Sequence, residues 1–455
     1  MFHSLRAFVP LRLIGLIAGL FIAYAPSGQA QLPLELDSER RSIQGTIECS
    51  PEALRLPDGR EWADRYPLAR ALELAAPGCV IRLRPGQYGQ LGIGFDSRQD
   101  WNAKGAGGVA GNPVIVDGFN QAQLVPGGAS DTIGVHGGVE SGHIRFQNLQ
   151  IEAGTRAGVL FYERPPEQAH RGYEFHDCTI DGKWDHATKS GPHDSKWGVL
   201  GHALADFVFA GVRGRAVVKN IRHEHAFYLQ NPRGDLTIEN VDGHQVGRTF
   251  LQITARESQG PAGRGLITVR GCEVADIGLS DWDNHKGGSA FTFAGRLPHC
   301  TIVVSGNTYR AGFNSKLTHL KPPGRSYGTG ALVAWDGTEK IGNGALVLQD
   351  NDFEFAESCG DRPVVKIGAC EIVRIGPGNR FVSGSSFPAL DVDPTRPGSS
   401  ELEYLPNAAV TLLAGNTFEG GVRRRGEELS DSDLAEWIAK AEQERAAQPD
   451  PTDKE

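Results

Sequence analysis

The strongest constraint on this chain is a recurring run of alternating apolar residues that ends in Asn, Asp or Gly. Examples are "HIRFQNLQI", "YEFHDCTI", "AVVKNIRH", "LTIENVDG", "ITVRGCEV", "TIVVSGNTY", "ALVLQDNDF", "EIVRIGPGNRF" and "VTLLAGNTF". A second strand-like class sits between them: "AGVLFY", "AFYLQN", "TFLQIT", "AFTFAG", "ALVAWDG" and "PVVKIG". Period-two alternation marks half-buried strands. Strict interleaving of two classes along most of the chain is the pattern of a superhelical β-coil, not of a sandwich. In such a coil each turn adds one rung to each of two or three parallel sheets. Rungs stack about 4.8 Å apart, and their inward residues form one continuous core. The composition agrees, because 59 glycines, 26 prolines and a single methionine favour short strands and tight turns over long helices. Asn148, Asn220, Asn240, Asn307, Asn351, Asn379 and Asn416 read as corner residues, since Asn tolerates the left-handed conformation and can bond to its counterpart one rung on.

The first thirty residues carry Arg6 and Arg12, the apolar run "LIGLIAGLFIAY" and small residues ending at Ala30. This is the pattern of a signal peptide cleaved after Ala30; the run is short for a membrane anchor, and no other membrane segment is expected. The mature chain is therefore read as secreted or periplasmic. Its removal takes two arginines and no acid, moving the formal charge from −9 to −11. No basic stripe suggests nucleic acid. An acidic polymer would have to be met by a local basic patch against the overall field. In an oxidising compartment Cys49 with Cys79, and Cys359 with Cys370, are the expected disulfides.

The stretch "PLARALELAAPGCVIRLRPGQYGQ" (Pro67 to Gln90) is a short amphipathic helix running into a strand and "PGQY". It resembles the start of right-handed parallel β-helix proteins of the pectate-lyase-like superfamily. "AGNPVIVDGFNQAQLVPG" (Ala110 to Gly127) is similar to the second rung of its polysaccharide-lyase members. The resemblance implies an all-β fold: a single right-handed parallel β-helix over 67–420, preceded by an extension (31–66) and followed by a short helix and tail (421–455). It says little about activity, because the superfamily holds lyases, hydrolases, epimerases and non-catalytic surface proteins. A helix at 67–76, with Leu68, Leu72 and Leu74 inward, is expected to cover one end of the coil. At the other end "DLAEWIAKAEQERAA", with Asp433 and Glu436 as a capping box, is expected to form a helix that caps the coil or projects from it.

Three connections between the two strand classes are long: 181–197, 279–288 and 312–330. Between the first two the turns at Ile221–Glu224 and Gly243–Gly247 are short. Long loops beside short turns make a walled groove, the usual bed for a polymer. Trp184, Trp197 and Trp282 are the candidates for stacking on sugars, with Lys286, His223, His244 and Gln252 as polar contacts. If Phe227 and Leu229 face the core, parity turns Glu224, Ala226, Tyr228 and Gln230 outward. It also sets Arg248, Phe250 and Gln252 on the outer face one rung on, so that Glu224 stacks on Arg248 and Tyr228 on Gln252. His225 has core parity, although a strand start can turn it outward. Asp281 and Asp283 offer oxygen ligands suited to Ca²⁺, the one cofactor the residues suggest.

The leading expectation is an exported β-helix that binds a uronate-containing polysaccharide as a monomer and cleaves it by β-elimination. Arg248 would neutralise the carboxylate, His225 or His223 would serve as base, and Tyr228 would protonate the leaving oxygen, with Glu224 beside them. A glycoside hydrolase would instead pair Glu224 with Asp281, Asp283 or Asp185. A non-catalytic carbohydrate-binding β-helix is the third reading. "GAGGVA" (Gly105 to Ala110) mimics a dinucleotide fingerprint, but a proline and a strand follow where a helix is needed.

Overall fold

The computed structural model describes residues 39–94, 101–136, 141–165, 168–255, 263–280, 288–295, 297–311, 330–334, 342–355, 363–384, 386–394 and 407–447. The chain winds as a right-handed parallel β-helix with three long sheets of 14, 11 and 13 strands, here sheets I, II and III. One turn shows the plan. Phe207–Ala210 lies in sheet I, Ala216–Ile221 in sheet II and Phe227–Gln230 in sheet III, and Leu236–Glu239 returns to sheet I.

In-register pairing is what makes the core. Val159, Val199, Phe227, Leu251, Phe291 and Leu332 are successive partners in sheet III, so one inward column is apolar from rung to rung. Rings also meet edge to face along the interior, Phe209 with Phe227 at 4.9 Å and Phe227 with Phe250 at 5.5 Å. Such pairs contribute roughly 0.5–1.5 kcal/mol each beyond burial.

The corner between sheets I and II divides the work expected of a single asparagine. The left-handed position is taken by Asn148, Asp177, Asn240, Gly271, Gly306, Asp350, Gly378 and Gly415. The next residue points inward: Leu149, Cys178, Val241 and Cys272 on early turns, then Asn307, Asn351, Asn379 and Asn416. These last four form the side-chain ladder, with Nδ2 to Oδ1 distances of 3.0, 3.0 and 2.9 Å. Asn220 is left-handed but sits at the corner between sheets II and III.

Both ends are covered. Helix α1 (Pro67–Leu74) is buried along its length, with Leu68, Leu72 and Leu74 in the core and Arg70 paired to Glu73 at 2.6 Å. Helix α2 (Asp431–Ala447) caps the far end, packing Leu434, Trp437 and Ile438 on the core. Its capping box is Ser430 with Asp433, earlier than expected. Ser430 Oγ accepts from the Asp433 amide and Asp433 Oδ2 from the Ser430 amide, each at 3.2 Å. The sheets also outrun 67–420: Thr46–Cys49 pairs with Val80–Leu83, and Val422–Arg424 with Leu390–Val392.

The expected Cys49–Cys79 disulfide is not formed. Cys49 lies opposite Leu83, whereas Cys79 precedes Val80, the partner of Thr46, so the two are several residues out of register. Cys178, Cys272, Cys300 and Cys370 are likewise free and buried, and burial pushes the Cys178 and Cys272 thiols up to about 12. Cys359 lies outside the described residues, as do the N-terminal thirty. Among the described residues no helix is long and apolar enough to cross a membrane.

Candidate functional site

A bend where each chain turns into sheet III decides which side chains face outward. Ala226 and Phe227 both enter the core, as do Phe250 and Leu251 one rung on. Two consecutive inward residues reset the alternation. This corrects the expectation that Ala226 and Phe250 face out, and it turns His225 outward. The bend needs little space at equivalent positions on earlier rungs. A Cβ on Gly198 would lie 2.6 Å from the Ala226 carbonyl oxygen and 2.7 Å from Val218 Cγ1.

The outer face of sheet III then carries three rows. The first, at the bend, runs Asp131, Ala157, Trp197, His225 and Thr249. The second runs Leu160, Leu200, Tyr228, Gln252 and Thr292. His136, Tyr162, His202, Gln230 and Thr254 follow in the third. Ala157, Leu160 and Leu200 form a small apolar base against which Tyr162, Trp197 and Tyr228 pack. Aromatic rings are thus held rigidly on the solvent side of the sheet.

Five of the expected residues converge here. Glu224 Oε2 lies 3.4 Å from Arg248 Nη1 and 3.4 Å from His225 Nδ1. The other ring nitrogen of His225 donates to Gln252 Oε1 at 2.8 Å, and the ring stacks on Tyr228 with centroids 4.9 Å apart. Tyr228 and Gln252 are direct register partners, as parity requires. His225 is only 2% exposed beneath this arrangement, whereas the Arg248 side chain is 41% exposed. The outer face here therefore presents a cation and a phenol, with the imidazole behind them.

The remaining expected residues lie elsewhere. His223 is 2% exposed, its amide donating to the Ser195 carbonyl. Gly243–Gly247 is mostly strand rather than turn, and His244 stands on sheet II opposite Lys219. Burial and then the Lys219 charge lower its pKa. Trp184 is 7% exposed, with the Arg222 guanidinium 3.9 Å over its ring, so it is not an open stacking surface. The Asp185 carboxylate is occupied within its own turn by the Ala187 amide and the Thr188 hydroxyl, both at 2.8 Å. Trp282, Lys286, Asp281 and Asp283 lie outside the described residues.

Sequence reasoning missed two sets of residues. Asp131, Arg156, Tyr162 and His136 form a cluster two to three rungs before Tyr228. Arg156 Nε donates to Asp131 Oδ1 at 2.8 Å and Nη2 to the Tyr162 hydroxyl at 2.7 Å, and His136 packs on Tyr162 at 4.4 Å. Burial, then the Asp131 charge, raises the Tyr162 phenol. Parity applied to "AGVLFY" would have exposed it. His186 straps loop 181–197 down, its Nε2 within 3.1 Å of the Ile221 and Gln245 carbonyls; no local pattern announces this.

Fold and site together define a parallel β-helix whose sheet III carries an ionic and aromatic cluster on its outer face. No family model matches the chain, and no curated protein does so either. Among solved structures the chain is similar to an alginate lyase from Paenibacillus sp. str. FPU-7, at 12% identity over 83% of this chain and 99% of that one, with a TM-score of 0.43. It is also similar to pectate lyase Pel9A (12% identity, 87% and 84% covered, TM-score 0.36). A mannuronic acid specific polysaccharide family 6 lyase from human gut microbiota gives 13% identity, 83% and 76% coverage and a TM-score of 0.40. The chemistry of the site rests on its own residues, not on these likenesses.

Proposed function

We propose that this chain is an exported protein that binds a uronate-containing polysaccharide along the outer face of sheet III and cleaves it by β-elimination. The observation that carries the reading is the convergence of Glu224, His225, Tyr228, Arg248 and Gln252 at one point of a solvent-facing sheet, beside Trp197 and Tyr162.

In this reading Arg248, the most accessible charge of the group, neutralises the uronate carboxylate and so favours loss of the C5 proton. His223 and His225 are both too deeply buried to reach a sugar, which leaves Tyr228 as the proton-active group facing the groove. The Tyr228 oxygen, entering this step as phenolate, would take the C5 proton and become the phenol as the bond from C4 to the leaving oxygen breaks and the C4–C5 double bond forms. It would return that proton to the leaving oxygen on the same face. His225, fixed by Glu224 and Gln252, would hold the ring in place. Among the described residues no group of three or more His, Cys, Asp and Glu side chains is placed to hold a metal ion. Ca²⁺ held by Asp281 and Asp283 belongs to the proposal only as a possible aid to carboxylate binding, and no step is routed through it.

The test is incubation with a panel of uronate polymers while following absorbance of the unsaturated product. A rise that is lost in Arg248→Ala and Tyr228→Phe supports the reading. New reducing ends without that absorbance would replace elimination with hydrolysis. The burial of both histidines favours one second reading, binding without turnover. Binding with no product of either kind would establish it.

A further inference from the structure

A second place on the outer face of sheet III is built around Arg156 and Asp131, to which the cleavage reading gives no part. Arg156 is held through two of its three nitrogens. Its Nε donates to Asp131 Oδ1 at 2.8 Å, and its Nη2 donates to Asp131 Oδ2 and, at 2.7 Å, to the Tyr162 hydroxyl. That leaves the two N–H groups of Nη1. They bond to none of the described residues, and they reach solvent, since the Arg156 side chain is 38% exposed and Nη1 is not a buried atom. The Asp131 side chain behind them is 7% exposed, so the guanidinium cannot swing away without stranding a buried carboxylate.

Beside these donors lies a small aromatic surface. The exposed His136 ring packs on Tyr162 with centroids 4.4 Å apart, and Tyr162 rests on the apolar base of Ala157, Leu160 and Leu200. Burial and the Asp131 charge keep the Tyr162 hydroxyl a neutral phenol. Charge is balanced as well: Asp131 neutralises Arg156 in direct contact, and Glu163 and Arg164, which follow Tyr162 in the chain, are again one of each sign. A carboxylate placed at Nη1 would lose hydration and meet a cation already neutralised, a loss that the contact does not offset. A hydroxyl, ring or carbonyl oxygen needs only the two donors, and the apolar face of a pyranose suits the rings. We infer a second saccharide subsite, formed by Arg156, Tyr162 and His136, that takes a neutral pyranose unit. It lies two rungs before Tyr228, about 9–10 Å along the axis. There it differs in kind from the place at Arg248, where a partly free cation favours a carboxylate.

The experiment measures binding by titration calorimetry, with neutral and charged probes of one length. The neutral probes are the β-1,4-linked hexamers of mannose, glucose and xylose. The charged probe is the β-1,4-mannuronate hexamer, which differs from the first only by a carboxylate at C6 of each unit. At least one neutral hexamer is expected to bind the wild type with Kd near or below about 1 mM, the strength of a few hydrogen bonds and an aromatic contact. Arg156→Gln and Tyr162→Ala are each expected to weaken it about tenfold or more. In Arg248→Ala, where the first place no longer contributes a cation, the mannuronate hexamer is expected to bind more weakly than that neutral one. Adding Asp131→Asn leaves Arg156 uncompensated and is expected to reverse the order by a factor of about ten that falls with salt. Binding of no neutral hexamer overturns the inference, as does binding that both Arg156→Gln and Tyr162→Ala leave unchanged in folded protein. A mannuronate hexamer that binds Arg248→Ala at least as tightly as any neutral one, or an order that folded Asp131→Asn does not shift, overturns it too. Absence of unsaturated product bears on the cleavage reading alone and leaves the subsite standing.

Discussion

The two ends of sheet III's outer face use polar groups in opposite ways. Toward the C-terminus Lys366, Asp391 and Arg423 are successive register partners, and Arg423 grips Asp391 through two hydrogen bonds of 2.8 and 3.2 Å. Around Tyr228, by contrast, Arg248 touches Glu224 only at 3.4 Å and keeps much of its side chain in water. Charges that satisfy each other hold rungs together. A cation left partly free beside fixed rings can still gain by meeting a ligand.

The sharpest way to break the contrast is to collapse the bend that creates it. Phe250→Ala empties a core position between Phe227 and Phe291 and is expected to cost about 3–5 kcal/mol, read from denaturant unfolding, with groove binding lost in parallel. Next in size, Arg248→Ala is expected to lower kcat/KM by about a hundredfold or more with little change in unfolding. Asp391→Ala should do the reverse. Leaving Arg423 without its partner should cost on the order of 1–3 kcal/mol while sugar binding stays intact. If both variants alter binding equally, the division of the face is wrong.

Acid should distinguish the two regions as well. Burial holds the His170 imidazole down at about 4, and its Nε2 lies 2.8 Å from the Tyr162 carbonyl. A histidine whose folded pKa is depressed stays neutral in the native state. Its stabilising contribution is complete above the unfolded value near 6.5 and is lost as pH falls toward 4, on the order of 2–3 kcal/mol in all. Stability measured across that window should fall, and His170→Gln should flatten the slope. The smallest expected effect is at Glu174 on sheet I. Burial pushes its carboxyl up, but hydrogen bonds from His176 and Arg145 outweigh this and bring it to about 2. Its contribution is present above the usual carboxylate value and fades between about pH 4.5 and 2. Glu174→Gln should remove a small part of the acid sensitivity in that lower window only.

Much of this could be read from the residues in order. Interleaved runs imply stacked rungs because side-chain period and rung pairing are both local regularities, and the pairings of Tyr228 with Gln252 and of Glu224 with Arg248 follow from them. The ladder Asn307–Asn351–Asn379–Asn416 was likewise legible. The failures share one cause. Parity counts residues but not corners, so one bend sent Phe250 inward and His225 outward, while His244 fell on sheet II because the strand Val241–Val246 reads locally as a turn. The same limit hid the pairing of Arg156 with Asp131, since the two are 25 residues apart in sequence and adjacent only after a full turn.

By itself, then, the sequence determined the architecture: an all-β coil with an inward apolar column and covered ends, because burial of alternating side chains admits few other solutions. Only the tertiary structure decided which proton-active groups meet, and which of them reach the outer surface of sheet III. Where the backbone bends, two neighbours can share a side, and contacts between turns depend on that angle rather than on spacing along the chain. The stretch from His223 to Gln252 supplies the groups; the bend into sheet III leaves Arg248 and Tyr228 at the surface and His225 behind them.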